Sequence, residues 1–458
     1  MTLDSKILNF TNDILSKIQD KADFFVQKSY ILSNIDNILF GFICLSLMIS
    51  ITASNAYTAP ILCCIGVLYL LTLLLKKGAK IELNQSLLYL LLYFFLNIAS
   101  TINSTMPYAS AIGLSKTILY LIYFCAVLQY LRLHKEKIPV VAAAVGLFVS
   151  FEVVVAFLQN SFDVMSAATW QDTSRLNPEL VLTRVYGTLK PSNPNLLGGY
   201  LIAAAPFLWM YTALVFVENK KCQCICGIIF SAAVIPAIFM TGCRGAYIAL
   251  FIMMLILIYS AYKIIEHHYP NTFSVIQKYK KSILLCMCGA VTAVIVCVPK
   301  ISHRILSIFA MRNDSSTSFR MNVYQSSIQM FHDNILLGIG CGNKVFREVY
   351  GLYMRSGFDA LSAYSIFLET AVEGGIFALI FYVLFAGSLL LQGIKSFFAL
   401  KNIKMQIMLA AGIMSIIGVL VHGFVDTVYF RPQIQLIFWL SAAIVLINSN
   451  EEEIEIRN

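Results

Sequence analysis

Residues 194–217 read PNLLGGYLIAAAPFLWMYTALVFV, a run of 24 residues without a charged side chain. About twenty apolar residues in an α-helix cross the hydrocarbon core of a bilayer, where a helix satisfies its own backbone hydrogen bonds. This stretch therefore predicts a transmembrane helix.

The same pattern recurs on both sides of this stretch. The chain has 458 residues, of which 59% are hydrophobic and 12% charged, whereas soluble domains are about 45–50% apolar and about 25% charged. An ordinary soluble protein is excluded, and we expect contact with the lipid bilayer and none with nucleic acid. We predict an all-α, polytopic integral membrane protein with about twelve transmembrane helices. The spans are predicted at 37–55, 58–75, 85–102, 111–131, 138–158, 194–217, 222–241, 244–263, 282–299, 366–392, 405–424 and 433–449.

Lysines predict the orientation of these spans, because loops rich in positive charge stay in the cytoplasm. Lysine clusters occupy alternate connections, such as Lys76, Lys77 and Lys80, and later Lys278, Lys280 and Lys281. Both termini are then cytoplasmic. The predicted organisation is a cytoplasmic amphipathic segment 1–34, helices one to nine in 35–300 with an outer loop at 159–193, a large outer loop at 301–365 between helices nine and ten, helices ten to twelve in 366–449, and a tail at 450–458.

The two faces of the membrane differ in their basic residues. The chain has 22 lysines and 11 arginines, and the predicted topology places nine of the arginines outside. A guanidinium binds phosphate or carboxylate through two parallel hydrogen bonds, whereas lysine acts as a point charge. The outer face is thus predicted to bind an anion, with lipid headgroup contacts or structural ion pairs as the alternative. The outer arginines are Arg175, Arg184, Arg244, Arg304, Arg312, Arg320, Arg347, Arg355 and Arg431.

Other polar groups lie near the predicted outer membrane edge. Asn193 and Asn195 open a helix whose free amino-terminal N–H groups favour an anion. His422 and Asp426 are four residues apart, so they pair on one helix face, either as a structural contact or to handle protons. The cysteines predict no metal site, since their spacing does not match known zinc motifs, and no cofactor is expected.

Several short motifs, taken in order, resemble the O-antigen ligase and polymerase superfamily over about residues 180–445. The family handles lipid-linked glycans at the outer face of the bacterial inner membrane. The motifs are Arg184 with Asn193-Pro194-Asn195, Arg244-Gly245, Arg320, Leu336-Leu337-Gly338-Ile339-Gly340, Leu368-Glu369 and Glu373-Gly374-Gly375-Ile376.

This resemblance implies a C-type glycosyltransferase fold and a metal-independent, inverting enzyme of lipopolysaccharide biosynthesis. Its donor would be a glycan on undecaprenyl diphosphate or a similar polyprenyl diphosphate. Arg244 and Arg320 would hold the diphosphate, and Tyr364 stands where ligases of the family carry a histidine base. Because tyrosine is a poor base at neutral pH, the candidates for that role are Glu369, Glu373, Asp359 and His332, and nothing in the sequence selects one of them. Substrate-binding candidates are Arg184, Asn193, Asn195, Arg347, Arg431, His422 and Asp426.

Two segments are similar to one particular branch of the superfamily. Leu361–Glu369 and His422–Pro432 resemble proteins named as inorganic-carbon (bicarbonate) transporters. Two alternatives to the glycosyltransferase therefore remain. One is a transporter of bicarbonate or another small anion, which would use the same arginines; the other is a non-catalytic membrane protein that binds a glycolipid.

Overall fold

The computed structural model describes residues 3–52, 55–81, 83–164, 184–297, 315–355, 357 and 359–449. Regular structure within these ranges is helical, and no strand occurs in them. The helices longer than three residues are α1 (Leu3–Lys28), α2 (Tyr30–Ser33), α3 (Ile35–Thr52), α4 (Thr58–Leu75), α5 (Gln85–Asn103), α6 (Pro107–Leu133), α7 (Ile138–Ser161), α8 (Pro194–Val217), α9 (Lys221–Met240), α10 (Arg244–His268), α11 (Pro270–Cys297), α12 (Ser315–Asp333), α13 (Asn343–Tyr353), α14 (Ile366–Ala399), α15 (Ile403–Gly423) and α16 (Pro432–Ser449).

Ten of the described helices, α3 to α10 with α14 and α15, are long and apolar enough to cross a membrane. The prediction of an all-α, multi-pass membrane protein is thereby confirmed. Of the two further predicted spans, 282–299 falls in α11 up to Cys297, and 433–449 corresponds to the shorter apolar helix α16.

Helix α16 lies at the centre of the bundle, where it packs against α6, α14 and α15. Small residues permit this close approach: a methyl group added at Gly412 would lie 2.9 Å from Val445 of α16. A buried hydrogen bond of 2.8 Å between the Ser441 and Ser415 hydroxyls also joins α16 to α15. The most enclosed helix of the bundle is therefore fixed by both packing and polar contacts.

The amphipathic segment predicted at the amino terminus forms α1. Its buried Leu15 packs against Leu73 and Ala79, and the Gln19 side-chain amide donates to the carbonyls of those two residues at 2.9 and 3.0 Å. Phe10 and Phe24 on α1 remain exposed. An apolar exposed face of this kind suits a helix at the membrane surface.

Helix α14 is broken near its beginning at Gly375, whose φ is +80°. The break frees the carbonyls of Val372 and Glu373, which accept the backbone N–H groups of Ile339 (2.9 Å) and Gly340 (3.1 Å). A side chain at Gly375 would collide with the chain at Leu336, since an added Cβ would lie 2.2 Å from that carbonyl oxygen. Glycine is thus required where the two segments meet.

The glycine-rich turn at 338–342 directs its N–H groups into the protein. Besides the two bonds to α14, Cys341 N donates to Ser110 Oγ (2.8 Å) and Gly342 N donates to Glu373 Oε1 (2.8 Å). Because these N–H groups already donate to atoms of the protein, they are not available to bind a phosphate, and the turn is structural. We name residues 338–342 the docked turn.

Candidate functional site

One pocket collects residues that are up to about 240 positions apart in the chain. It has a cavity volume of about 30 Å³ and lies between the residues before α8, the turn joining α9 to α10, helix α12 and the connection that follows α15. We name it the arginine pocket. Its lining consists of Arg184, Asn195, Gly242, Cys243, Arg244, Gly245, Arg320, Val425 and Asp426.

Asp426 is the centre of the hydrogen-bond network in this pocket. Its Oδ2 accepts from Arg320 Nη2 (2.9 Å) and Asn195 Nδ2 (3.0 Å), and its Oδ1 accepts from Thr427 N (2.8 Å). Arg320 Nη1 also donates to Val425 O at 2.8 Å. Burial opposes the charge of Arg320, but Asp426 together with Cys243 and nearby tyrosines more than offsets it, and the pKa of Arg320 is raised. Arg320 is thus held charged and fixed in position.

Asn195 links this centre to Arg184. Arg184 Nη2 donates to Asn195 Oδ1 (2.5 Å), and Arg184 Nε donates to Thr241 O (2.9 Å). Asn193 accepts the Asn195 N–H (2.8 Å) and so caps α8, as its position before Pro194 requires. The predicted Asn193 and Asn195 therefore act here as a helix cap and as a bridge between side chains.

The pocket has an excess of positive charge. Three arginines line it against one carboxylate, Asp426. Helices α8 and α10 also begin there, and Arg244 is the first residue of α10. Because helix amino ends carry partial positive charge, they add to the attraction for an anion. The arrangement is suited to a phosphate or another compact anion.

His422 reaches the pocket through Cys243, a contact that sequence reasoning did not find. The Cys243 sulfur lies 3.3 Å from His422 Nε2, and both side chains are buried. Burial raises the pKa of a thiol, but the charge and hydrogen bond of His422 outweigh it, and the pKa of Cys243 is lowered. No local pattern could indicate this pair, since its members are 179 positions apart.

The predicted helical pairing of His422 with Asp426 was wrong. Helix α15 ends at Gly423, so the chain turns before Asp426 and the four-residue spacing no longer places the two on one face. Each has its own partner instead, Cys243 for His422 and Arg320 for Asp426.

Tyr364 lies beside Arg320 rather than among the lining residues. The guanidinium carbon of Arg320 is 5.3 Å from the centre of the Tyr364 ring, a cation–π distance. Burial, followed by the charge of Asp426, raises the pKa of Tyr364. The phenol is therefore protonated at neutral pH and is unsuited to act as a base.

Glu369 is not brought to the arginine pocket. Its Oε2 accepts the Ala363 N–H at 2.9 Å, and it lines a second cavity of about 150 Å³. We name this the carboxylate cavity. Its charged and amide lining is formed by Asn97, Lys116, Asn343, Lys344, Glu369, Glu373 and Gln435, and its aromatic lining by Tyr93, Tyr120, Tyr382, Tyr429, Phe430 and Trp439.

Two predicted binding residues lie outside the arginine pocket. Arg347 forms an exposed ion pair with Asp359, through an Nε bond of 2.9 Å. Arg431 is exposed and lies within electrostatic range of Glu369, on the side of the carboxylate cavity. Arg175, Arg304 and Arg312 lie outside the described residues. Across the part of the chain that the structure describes, no three His, Cys, Asp or Glu side chains come together to hold a metal.

A family model for O-antigen ligase matches residues 229–383. The matched interval runs from α9 into α14 and contains Arg244, Arg320, Tyr364 and Glu369. No curated protein matches the chain. The resemblance to the O-antigen ligase and polymerase superfamily is confirmed over this interval, whereas the inorganic-carbon transporter branch stays a prediction.

Proposed function

Because residues 229–383 carry an O-antigen ligase domain, we propose that this membrane protein is a glycosyltransferase. It moves a glycan from a polyprenyl-diphosphate carrier to an acceptor at the outer face of the bacterial inner membrane. The observation that carries the proposal is the meeting of Arg184, Arg244 and Arg320 at one pocket.

The charge of the pocket supports the role of a diphosphate. Cleavage of the bond between the sugar and the diphosphate leaves negative charge on the leaving group. Preorganised guanidinium groups stabilise such charge without moving, because hydrogen bonds already hold Arg184 and Arg320 in place. This accounts for a transfer that proceeds without a metal ion.

The acceptor hydroxyl must lose its proton to a group other than Tyr364, whose pKa is raised. Asp426 is occupied by Arg320 and Asn195. The remaining titratable contact at the pocket is Cys243 with His422 behind it. This pair is the first place to look for the base.

The direct test measures release of undecaprenyl diphosphate from a purified lipid-linked glycan by the full chain in lipid nanodiscs. We expect Arg244→Ala to lower the rate by about 10²–10³-fold, the usual cost of removing one charge-stabilising donor. Arg347→Ala is the matched control, since Arg347 is exposed and pairs with Asp359. Equal rates for the two variants would overturn the proposal, provided both unfold at the wild-type temperature.

The small size of the arginine pocket also favours a second candidate. A cavity of about 30 Å³ with excess positive charge suits an anion as small as bicarbonate. Labelled bicarbonate entering proteoliposomes that contain no glycolipid, and doing so only with Arg244 intact, would establish transport in place of transfer.

A further inference from the structure

The carboxylate cavity is a second site, separate from the arginine pocket. The connection at 424–431 lies between them, with Asp426 lining the pocket and Tyr429 and Phe430 lining the cavity. The cavity volume of about 150 Å³ is five times the 30 Å³ of the pocket. A site of this volume has room for several water-sized groups, and so for one small ring rather than a drug-sized molecule.

Ionisable groups of both kinds line the cavity. They are the carboxyl groups of Glu369 and Glu373 and the ammonium groups of Lys116 and Lys344. The lining therefore offers both hydrogen-bond donors and acceptors. A neutral ligand with many polar groups matches this arrangement better than a phosphate or a free metal cation.

The two carboxylates retain acceptor capacity toward the cavity. Each accepts one backbone N–H, Glu369 from Ala363 and Glu373 from Gly342. A carboxylate has about four acceptor positions, so one bond apiece leaves positions for hydroxyl donors. Ligand hydroxyl groups would satisfy oxygens that are otherwise costly to enclose.

Aromatic rings form the rest of the wall. Tyr93, Tyr120, Tyr382, Tyr429, Phe430 and Trp439 surround the polar groups. Saccharides combine hydroxyl groups at the ring edge with C–H faces that pack on aromatic rings. A purely apolar lipid chain could not donate to the acceptor positions that remain on the two carboxylates.

We propose that the carboxylate cavity binds a neutral saccharide unit. The proposal rests on the proposed function only in that a glycosyltransferase has glycans to bind. The cavity would take one sugar ring of the donor or acceptor glycan, while the arginine pocket takes the phosphate. Specificity for the sugar would then be set by residues that do not touch the diphosphate.

Saturation-transfer difference NMR tests the proposal on the full chain in nanodiscs, which avoids glycoside detergents. The probes are glucose, galactose, N-acetylglucosamine and rhamnose. Thr117 lines the cavity, so Thr117→Trp should fill it and weaken binding of the responding sugar about tenfold or more. Ile118→Trp is the control, because Ile118 is the next residue of α6 and is exposed.

Signals that are lost in Thr117→Trp and kept in Ile118→Trp support the proposal. Equal signals in the two variants, or no signal from any of the four sugars with the wild-type chain, overturn it. If Thr117→Trp lowers the unfolding temperature, Glu369→Gln takes its place, since it keeps the side-chain volume and removes the charge.

The same samples separate this proposal from the proposed function. Arg244→Ala should abolish transfer yet leave saccharide signals unchanged, because Arg244 lines only the arginine pocket. A wild-type chain that binds sugars but transfers none would sink the transferase and leave the saccharide site standing. A wild-type chain that transfers glycan but gives no sugar signals would overturn the saccharide site and leave the transferase standing.

Discussion

The arginine pocket and the carboxylate cavity lie next to each other but differ in size and in the charged groups that line them. The pocket is tight and basic, and its own hydrogen bonds hold Arg184 and Arg320 through Asn195 and Asp426. The cavity is larger, and its lining contains both glutamates and lysines. This difference underlies our two proposals, in which the pocket selects a ligand by charge and the cavity by shape and hydrogen bonding.

Each region contains one buried cysteine, which reports on its surroundings. Cys243 lines the pocket, where His422 outweighs the effect of burial and the pKa of the thiol is lowered. Cys341 lines the cavity, where burial and then the nearby charge of Glu373 raise the pKa of the thiol. Two equally enclosed thiols thus differ because of their charged neighbours.

The largest effect is expected at the centre of the pocket. Asp426→Ala leaves Arg320 without its counter-charge and Asn195 without an acceptor, so we expect a loss of about 3–5 kcal/mol in unfolding free energy. Transfer should fall below detection. Glu369→Gln, the corresponding change in the cavity, should cost far less, as measured by thermal unfolding in nanodiscs. A larger loss of unfolding free energy for Glu369→Gln than for Asp426→Ala would contradict the expectation that the pocket holds the more important structural contacts.

The thiols give the next largest contrast. At pH 7.5 we expect iodoacetamide to modify Cys243 about tenfold faster than Cys341, because only the thiolate reacts. His422→Ala should remove this advantage by restoring the pKa of Cys243 toward its ordinary value. Peptide mass spectrometry follows each site. A rate for Cys341 above that for Cys243 would contradict the electrostatic difference between the regions.

A smaller effect should follow from moving Arg184 by a few tenths of an ångström. Gly242 has φ +62°, and an added Cβ would lie 3.0 Å from Arg184 Nε. Gly242→Ala should therefore cost about 1–3 kcal/mol of backbone strain and also displace the guanidinium. Gly357→Ala is the control, since φ there is +71° with nothing within 4 Å of the added Cβ. Transfer rates that fall equally in both variants would show that Arg184 need not keep its position.

The smallest change is expected at Tyr364. Tyr364→Phe keeps the ring that packs on Arg320 and removes a hydroxyl that is protonated at neutral pH, so transfer should change by less than about threefold. Tyr364→Ala, which removes the ring, should reduce transfer more. A loss of a hundredfold or more in Tyr364→Phe would assign the phenol to the chemistry.

The sequence was sufficient for the membrane fold, since each long apolar run must become a helix in lipid. It also indicated an anion site among the nine arginines of the predicted outer side, and the family resemblance singled out Arg184, Arg244 and Arg320 among them. Lysine and arginine usage is a property of the whole chain. This signal therefore does not depend on the spacing of residues within any one segment.

Contacts that depend on where a helix ends could not be predicted in the same way. Asp426 leaves the register of His422 because α15 ends at Gly423. Glu369, in the first turn of α14, lines the carboxylate cavity and not the arginine pocket. The Cys243–His422 contact joins separate helices. Such arrangements are set by tertiary packing rather than by periodicity along one segment.

The docked turn limits how a ligand gains access to the carboxylate cavity. Its N–H groups bind α14 and Ser110, and the Ser104 hydroxyl donates to the Ile339 carbonyl at 2.7 Å. Moving the docked turn away from these partners would break five hydrogen bonds, a cost of about 5 kcal/mol at about 1 kcal/mol each. A ligand should therefore reach the cavity without displacing the docked turn, and the exposed Lys116 of α6 is one lining residue that solvent already reaches.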